Sequence, residues 1–306
     1  MSVYGLKAFA WVRLARPPFH LVGLLPFLLG SLAAWHLAGS LDAGILVLGL
    51  LGVFSIMTAA YFSGEYWDYR EDSISASLGK SAFSGGSRVL QEGLLERRYA
   101  LLGSFTGVGS ALAIGTYLYM VRDTGMWTLP LGVVGIVGGL FYSARPIRWV
   151  SRGVGEIWIA FCYGWLPVAA GYYIQTGEMH PLIHWMSIPI ALTIFNVILL
   201  NEFPDHTPDS LAEKRNLAVR LGLPRSAAVY SAVTVLSWAG FLLSLARGVP
   251  IAAIWPYAPV IIVSAWLVAL VLRGAWLESG TLERMCGANI AVNLGTTAAY
   301  LVALLV

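Results

Sequence analysis

Residues 43–72 read AGILVLGLLGVFSIMTAAYFSGEYWDYRED. The first part, up to residue 62, carries no charged side chain and is long enough to cross about 30 Å of hydrocarbon. Four carboxylates then follow in quick succession, among them Glu65, Asp68 and Asp72. The stretch predicts a transmembrane helix whose end carries acidic side chains at the membrane surface.

The composition of the whole chain agrees with this interpretation. Of its 306 residues, 58% are hydrophobic and 11% are charged, whereas a soluble domain is about 45–50% apolar and about 25% charged. The sequence therefore indicates an integral membrane protein, and no nucleic-acid partner is expected. Cys162 and Cys286 lack the spacing of metal ligands or of a disulfide framework.

Charged and Gly/Pro-rich breaks divide the apolar runs into nine candidate spans. The predicted fold is an all-α, polytopic membrane bundle of nine transmembrane helices. The spans lie near 19–38, 43–63, 99–120, 126–142, 155–174, 183–201, 226–246, 253–272 and 285–305.

The basic residues favour one orientation of this bundle. With nine spans, all but two of the 19 Lys and Arg residues fall on the N-terminal side of the membrane. The exceptions are Arg122 and Arg247. Because cytoplasmic loops are enriched in Lys and Arg, the N-terminus and the loops beside it are expected to be cytoplasmic.

A second acidic motif lies further along the chain. Residues 201–209 read NEFPDHTPD, and its pair Asp205/Asp209 follows Asp68/Asp72 at a constant offset of 137 residues. Either pair alone is typical of a solvated helix end, but two pairs at one offset, on one side, favour a function.

This offset predicts an internal repeat within a single membrane domain, residues 1–306. Four spans separate the two acidic motifs, so equivalent helices would carry them. The expected pseudo-repeat halves are about 1–125 and 126–272, with a ninth helix at 285–305. The two long loops after spans two and six, roughly 64–98 and 202–225, are expected to begin with the acidic pairs.

The acidic pairs are candidate metal ligands. Residues four apart share one helical face, so each pair presents two carboxylates together. A divalent cation relieves their repulsion, and all-oxygen ligands suit Mg²⁺, Mn²⁺ or Ca²⁺. Ions of this kind commonly bridge to phosphate oxygens.

The same loops supply groups that suit a phosphate. The first contains Lys80 and the run SGGSR, which ends at Arg88, and the second contains Lys214, Arg215 and Arg220. Glycines let backbone N–H groups approach an anion, and arginine offers a bidentate fork. Carboxylates and cations at the mouth of an apolar bundle point to a lipid diphosphate.

These motifs resemble those of the UbiA superfamily of intramembrane prenyltransferases. That family's motifs are Asn-Asp-x-x-Asp-x-x-x-Asp and Asp-x-x-x-Asp, matched here by Gly64-Glu65-x-x-Asp68-x-x-x-Asp72 and Asp205-x-x-x-Asp209. Further familial stretches are ARPPF (15–19), FSGGSRVLQEGLL (83–95), ARPIRW (144–149), GVGE (153–156) and EKRNLAVRLG (213–222).

The resemblance implies a Mg²⁺-dependent transfer of a prenyl chain from a prenyl diphosphate, through an allylic carbocation, to an aromatic or other small lipophilic acceptor such as a quinone precursor. It implies Asp68, Asp72, Asp205 and Asp209 as metal ligands. It also implies Tyr142 beside the cation or acceptor and substrate contacts from Arg16, Glu65, Lys80, Arg88, Arg148, Asn201, Lys214 and Arg215.

One departure from the family motif affects this expectation. Gly64 replaces the usual Asn and Glu65 replaces the usual Asp. An asparagine would offer an amide oxygen to a metal, and glycine offers no side chain. Two alternatives therefore stay open: a membrane terpene cyclase acting on a prenyl diphosphate, and an ion-coupled transporter or lipid-binding membrane protein.

Overall fold

A computed structural model describes residues 3–78 and 86–306, and within these ranges every regular element is helical. The α-helices are α1 (Val3–Ala15), α2 (Leu21–Ala38), α3 (Ala43–Trp67), α4 (Tyr69–Leu78), α5 (Arg97–Met120), α6 (Thr128–Ser143), α7 (Gly155–Ala160), α8 (Leu166–Thr176), α9 (Pro181–Leu211), α10 (Leu217–Leu221), α11 (Leu223–Ala246), α12 (Ile254–Leu272) and α13 (Ser279–Leu305).

The prediction of an all-α, polytopic membrane bundle is confirmed. In the described part of the chain, eight helical segments are long and apolar enough to cross a membrane. The ninth candidate, α6, has 16 residues, fewer than the roughly 20 that a perpendicular span needs. The count of nine spans and the two-half repeat therefore stay predictions.

The helices pack around two contiguous regions. In one, α2 lies against α8 while α3 packs on α5 and α6; in the other, α9 packs on α11 and α13. At one end of the bundle Arg122 pairs with Asp42 at 2.6 Å, and the side chain of Gln175 accepts the backbone N–H of Asp42 at 2.8 Å. The turns that join α2 to α3 and α5 to α6 therefore meet at this end.

The second acidic motif lies on a helix rather than in a loop. The expected span ended near residue 201, but α9 continues to Leu211 despite prolines at 204 and 208. A proline inside a helix cannot donate to the carbonyl four residues earlier. For Pro204 that acceptor is the Leu200 carbonyl, and the Cys286 thiol donates to it instead at 3.7 Å. The expected loop therefore begins about ten residues later.

Several glycines allow helix backbones to touch. A Cβ at Gly30 on α2 would lie 2.0 Å from the carbonyl oxygen of Val168 on α8, and one at Gly171 would lie 2.2 Å from that of Phe27. The Ser31 hydroxyl donates to the Gly171 carbonyl across the same contact. Small residues at helix crossings are the usual basis of close packing in membranes.

We expect Gly30→Ala to lower the melting temperature of the detergent-solubilised protein, because the added methyl group must push α2 away from α8. Overpacking of this kind costs about 1–3 kcal/mol. The matched control is Gly109→Ala on α5, where an added Cβ meets nothing within 4 Å. Equal melting temperatures for the two variants would contradict the α2–α8 contact.

Candidate functional site

A cavity of about 240 Å³ that contains many charged side chains opens at the end of the bundle opposite the Asp42–Arg122 pair. We call it the site cavity. It brings together most of the side chains that the sequence singled out, from elements far apart in the chain. Its lining includes Arg16, Glu65, Asp68, Asp72, Tyr142, Asn201, Asp205, Asp209 and Lys214.

The first acidic motif lies at a break between two helices. The helix α3 ends at Trp67, Asp68 occupies the break, and α4 begins at Tyr69. The Ser143 hydroxyl donates to one oxygen of Asp68. The other oxygen, Oδ1, is buried without a hydrogen bond, and its ion-pair partner Arg148 lies 3.8 Å away. One face of this carboxylate is thus available for a cation.

A second buried carboxylate in this motif, Glu71, was not singled out by the sequence. It is 5% exposed and accepts a hydrogen bond from the Arg148 guanidinium. Arg148 also pairs with Asp68, so two carboxylates of the acidic motif hold this arginine, whose role the sequence predicted. The spacing of the two aspartates did not indicate a role for Glu71, because Glu71 lies between them and is not part of the motif.

The glycine-containing loop docks on the start of the first motif. Glu65 accepts both the backbone N–H of Ser87, at 2.6 Å, and its hydroxyl, at 2.9 Å. The Ser87 carbonyl in turn accepts a hydrogen bond from Arg13. Gly86 has φ +64°, and a Cβ there would lie 2.4 Å from an Asp72 oxygen. The glycine therefore lets the backbone reach the carboxylates.

The second acidic motif meets the first across the cavity. The Ser75 hydroxyl on α4 donates to Asp205 on α9 at 3.1 Å. One turn further along α9, Asp209 accepts the Asn216 side-chain amide at 2.7 Å and pairs with the Lys214 ammonium at 3.4 Å. The turn after α9 thus folds back so that Lys214 and Asn216 contact the motif that precedes them.

Two further glutamates hold that turn. Glu156 accepts the backbone N–H of Leu217 at 2.8 Å, and Glu202 accepts that of Ala218 at 3.2 Å. Both side chains are buried, 1% and 7% exposed. Glu156 belongs to the familial GVGE stretch, but the sequence did not indicate that it contacts this turn.

Electrostatics couples the carboxylates to Lys214. Burial raises the pKa of the Asp72 carboxyl well above its usual range, and the charges of Glu65 and Asp68 raise that pKa further. Burial lowers the pKa of the Lys214 ammonium, but Asp209, Asp68 and Asp205 outweigh burial and raise that pKa well above its ordinary value. Lys214 therefore stays protonated, and the cavity favours additional cations.

Three of the predicted basic residues share an unusual backbone conformation. Among the described non-glycine residues with positive φ are Arg16 (52°), Arg88 (60°) and Arg148 (50°). Glu213 (61°), directly before Lys214, is another. This conformation costs of order 1–3 kcal/mol for a residue other than glycine and clusters at functional sites. The shared strain supports the grouping of these arginines around one site.

Not every predicted contact residue lines the cavity. Arg215 is exposed, and neither it nor Arg88 is part of the lining. Arg148 lies beside the cavity, bound to Glu71. Lys80 falls outside the described residues. Arg220 donates to backbone carbonyls of Arg215 and Ser151, so it braces two turns.

The donor set fits a magnesium ion that binds together with a phosphate. Buried oxygens of Asp68, Asn201 and Glu202 have no hydrogen-bond partner, and oxygen is the donor that Mg²⁺ prefers. In the described part of the chain, no three His, Cys, Asp or Glu side chains converge into a metal cage. Mg²⁺ commonly binds through one or two carboxylates plus substrate phosphates, which agrees with this arrangement.

Comparison with known proteins places the chain among prenyltransferases. It is 25% identical over 210 residues to the 1,4-dihydroxy-2-naphthoate octaprenyltransferase of Bacillus subtilis (strain 168), a match that covers 69% of this chain and 65% of that protein. It is 26% identical over 255 residues to the 1,4-dihydroxy-2-naphthoate octaprenyltransferase of Haemophilus influenzae, covering 77% and 81%. The chain thus spans just under two thirds of the length of the Bacillus relative.

Solved structures share the fold. A UbiA homolog from Aeropyrum pernix K1 superposes with a TM-score of 0.69 at 18% identity, covering 92% of this chain and 97% of that one. A UbiA homolog from Archaeoglobus fulgidus bound to GPP and Mg²⁺ gives a TM-score of 0.62 at 17% identity, covering 97% and 100%. The sequence profile of the UbiA prenyltransferase family matches residues 23–290, and the chain belongs to that family.

Proposed function

We propose that this protein transfers a prenyl chain from a prenyl diphosphate to an aromatic acceptor, with Mg²⁺ as cofactor. The observation that carries the proposal is the site cavity, where Asp68/Asp72 and Asp205/Asp209 line one space together with Lys214. A diphosphate needs cations, and a carboxylate cluster needs cations as well. A magnesium–diphosphate complex satisfies both requirements in one site.

The basic side chains are proposed to hold the diphosphate. Lys214 and Arg16 line the cavity, and Arg148 lies at its edge against Asp68 and Glu71. Mg²⁺, when bound, neutralises charge that develops on the departing diphosphate. Lys214 and the arginines add fixed positive charge at the same place, which favours the state in which the carbon–oxygen bond has broken.

Aromatic side chains border the region where the allylic carbon would lie. Tyr61, Tyr142 and Tyr163 line the cavity on its bundle side. Their ring faces stabilise a nearby cation, and the apolar bundle limits the access of water to it. An aromatic acceptor that stacks beside Tyr142 would be placed to attack this carbon.

The proposed acceptor class follows from the relatives. The Bacillus and Haemophilus proteins are named for a dihydroxynaphthoate, and a relative from Synechocystis, 25% identical over 214 residues, is a 2-carboxy-1,4-naphthoquinone phytyltransferase. We propose a quinone precursor of this kind. The positive-inside rule further supports a cytoplasmic site, because with the nine predicted spans only Arg122 and Arg247 of the basic residues in the sequence would fall on the other side.

The altered first motif is proposed to anchor a loop. Glu65 uses both carboxylate oxygens on Ser87, and Gly64 lies one residue before it on α3. Glu65 would thus hold the Gly86–Arg88 backbone against Asp72, while the aspartates remain the ligands. The replacement of the usual Asn-Asp by Gly-Glu would then change how the loop is held rather than the reaction.

We expect Asp68→Asn and Asp205→Asn each to lower Mg²⁺-dependent release of diphosphate by about 100-fold or more, because each removes a charge that holds the ion. The assay supplies purified protein in nanodiscs with a prenyl diphosphate, with and without an aromatic acceptor. Glu178→Gln, an exposed change at the other end of the bundle, is the matched control.

The products of this assay separate the three candidate functions. A prenylated acceptor supports transfer, and a cyclic hydrocarbon formed without acceptor supports a terpene cyclase. If the wild-type protein released no diphosphate with any donor or acceptor, the result would contradict both enzyme functions and favour a transporter or lipid-binding protein. Full activity of Asp68→Asn would rule out the proposed metal site.

We expect Lys214→Met to raise the KM for the prenyl diphosphate by about 10–100-fold. The loss of a buried charge partner costs about 2–5 kcal/mol, and the carboxylates recover part of this free energy when they bind the metal. Lys214→Arg should recover part of the loss. Arg225→Met, which alters an exposed cation after α10, serves as the control. An unchanged KM in Lys214→Met would exclude Lys214 as a diphosphate contact.

We expect Glu65→Ala to speed hydrogen exchange at the Ser87 amide by about 10–100-fold, since a hydrogen bond to a charged group contributes about 1.5–3 kcal/mol. Ser87→Ala should have a smaller effect, because it removes the hydrogen bonds of the hydroxyl to Glu65 and Val89 and keeps the bond from the Ser87 amide to Glu65. Exchange is measured by mass spectrometry on the metal-free protein. Unchanged exchange at Ser87 together with lost Mg²⁺ dependence would instead identify Glu65 as a ligand.

A further inference from the structure

The turn between α1 and α2 contains Arg16, whose side chain lines the site cavity. We call residues 16–20, with the sequence RPPFH, the arginine turn. Arg16 has a left-handed backbone, with φ 52° and ψ 54°. For a residue other than glycine this conformation costs of order 1–3 kcal/mol and persists only when the surrounding structure holds it. The contacts that hold the arginine turn therefore decide where the Arg16 guanidinium lies.

The backbone of the arginine turn makes few hydrogen bonds of its own. The Arg16 N–H donates to the Arg13 carbonyl at 3.1 Å, and the Phe19 N–H donates to the Arg16 carbonyl at 3.0 Å. Pro17 and Pro18 have no N–H to donate. Because a residue before proline disfavours the right-handed helical region, Arg16 without further contacts would favour an extended backbone. Its side chain would then point in another direction.

One face of α3 supplies further contacts to the arginine turn. Phe54, Thr58 and Tyr61 follow one another at spacings of four and three residues, so they share a helical face. The Tyr61 hydroxyl donates to the Phe19 carbonyl at 3.1 Å. The imidazole Nε2 of His20 shares a hydrogen bond with the Thr58 hydroxyl at 3.2 Å. The centre of the His20 ring lies 4.5 Å from that of Phe54 and 5.2 Å from that of Tyr61.

These contacts connect α3 to the Arg16 side chain. The guanidinium carbon of Arg16 lies 5.2 Å from the centre of the Phe19 ring, a contact that is favourable for a cation. Tyr61 therefore fixes the backbone of the residue on which the guanidinium rests. His20 is 3% exposed, and neither His20 nor Thr58 belongs to the lining of the site cavity. Thr58 can thus influence the site only through the arginine turn.

We propose that Tyr61 and Thr58 are positioning residues that orient Arg16 toward the diphosphate of the substrate. Asp68 caps the end of α3, about two turns beyond Tyr61. One helix thus fixes both a proposed metal ligand and a proposed phosphate-binding cation relative to each other. The Tyr61 hydroxyl has this role in addition to that of its ring. The inference rests on the proposed prenyl transfer and adds to it the residues that hold the cation in place.

The first test removes the Tyr61 hydroxyl and keeps the ring. Tyr61→Phe should raise the KM for a prenyl diphosphate by about 3–10-fold and leave kcat within about 3-fold of wild type, because a neutral hydrogen bond is lost and the ring stays. Thr58→Val should raise the KM to a similar extent, although Thr58 does not reach the cavity. Tyr173→Phe is the matched control, since the Tyr173 hydroxyl also bonds a backbone group, the Trp127 N–H, at the other end of the bundle.

A double-mutant cycle distinguishes positioning of Arg16 from general damage to the fold. Arg16→Met should raise the KM by about 10–100-fold, because a hydrogen bond to a charged group is lost. Adding Tyr61→Phe to Arg16→Met should then change the KM by less than about 2-fold, since no guanidinium is left to orient. Lys214→Met removes a cation that another element holds, so Tyr61→Phe should keep its full effect on the KM in that background.

Binding of inorganic diphosphate in the presence of Mg²⁺ gives a measurement that does not require turnover. Calorimetric titration of the full-length protein in nanodiscs should show a Kd raised by about 3–10-fold in Tyr61→Phe and Thr58→Val and unchanged in Tyr173→Phe. A wild-type Kd in both Tyr61→Phe and Thr58→Val would overturn the inference. An effect of Tyr61→Phe on the KM that is equal with and without Arg16 would also overturn it. Wild-type protein that binds no diphosphate would instead contradict the proposed function on which the inference rests.

Discussion

Neutralisation of buried carboxylates governs the architecture at the site end of the bundle. Asp68, Asp72, Asp205 and Asp209 line one cavity at the edge of an apolar bundle, where an unpaired charge is costly. The protein meets this cost in part with its own groups, chiefly Lys214 against Asp209 and Arg148 against Asp68. Some carboxylate and amide oxygens at the site still lack a hydrogen-bond partner. A magnesium–diphosphate complex can supply the cation that these oxygens would bind.

The same constraint accounts for the shape of the surrounding turns. Glu156 and Glu202 fix the turn after α9 through backbone N–H groups, so that Lys214 and Asn216 reach back to Asp209. Glu65 fixes the Gly86–Ser87 backbone in the same manner on the other side. Carboxylates outside the Asp pairs thus position the cations and backbone groups, and the Asp pairs stay open toward the cavity.

Much of this could be predicted from the sequence, and the rest depended on contacts that spacing cannot reveal. The apolar runs predicted the helical bundle because the hydrocarbon thickness imposes a minimum length on each span. The 137-residue offset predicted that the two acidic motifs lie at the same end of the bundle, where both line the site cavity. The predicted end of α9 was wrong because a proline such as Pro204 usually ends a helix. The Cys286 thiol donates to the Leu200 carbonyl that Pro204 leaves without a donor, but it lies 82 residues away from Pro204 in sequence. Glu71 was missed because burial decided its role, and burial is set by packing.

The left-handed backbone at Arg16 and Arg148 has a consequence for how such a site can change. Two demands meet at each of these positions: a positive charge, which only Lys or Arg supplies, and a conformation that glycine or asparagine adopts at lower cost. No amino acid serves both well. Substitution by glycine would relieve the backbone but remove the charge, and lysine would keep the charge without the bidentate fork. Substitution at these positions is therefore restricted both by the need for a positive charge and by the backbone conformation. Engineered variants that replace either arginine should place a compensating cation elsewhere on the cavity wall.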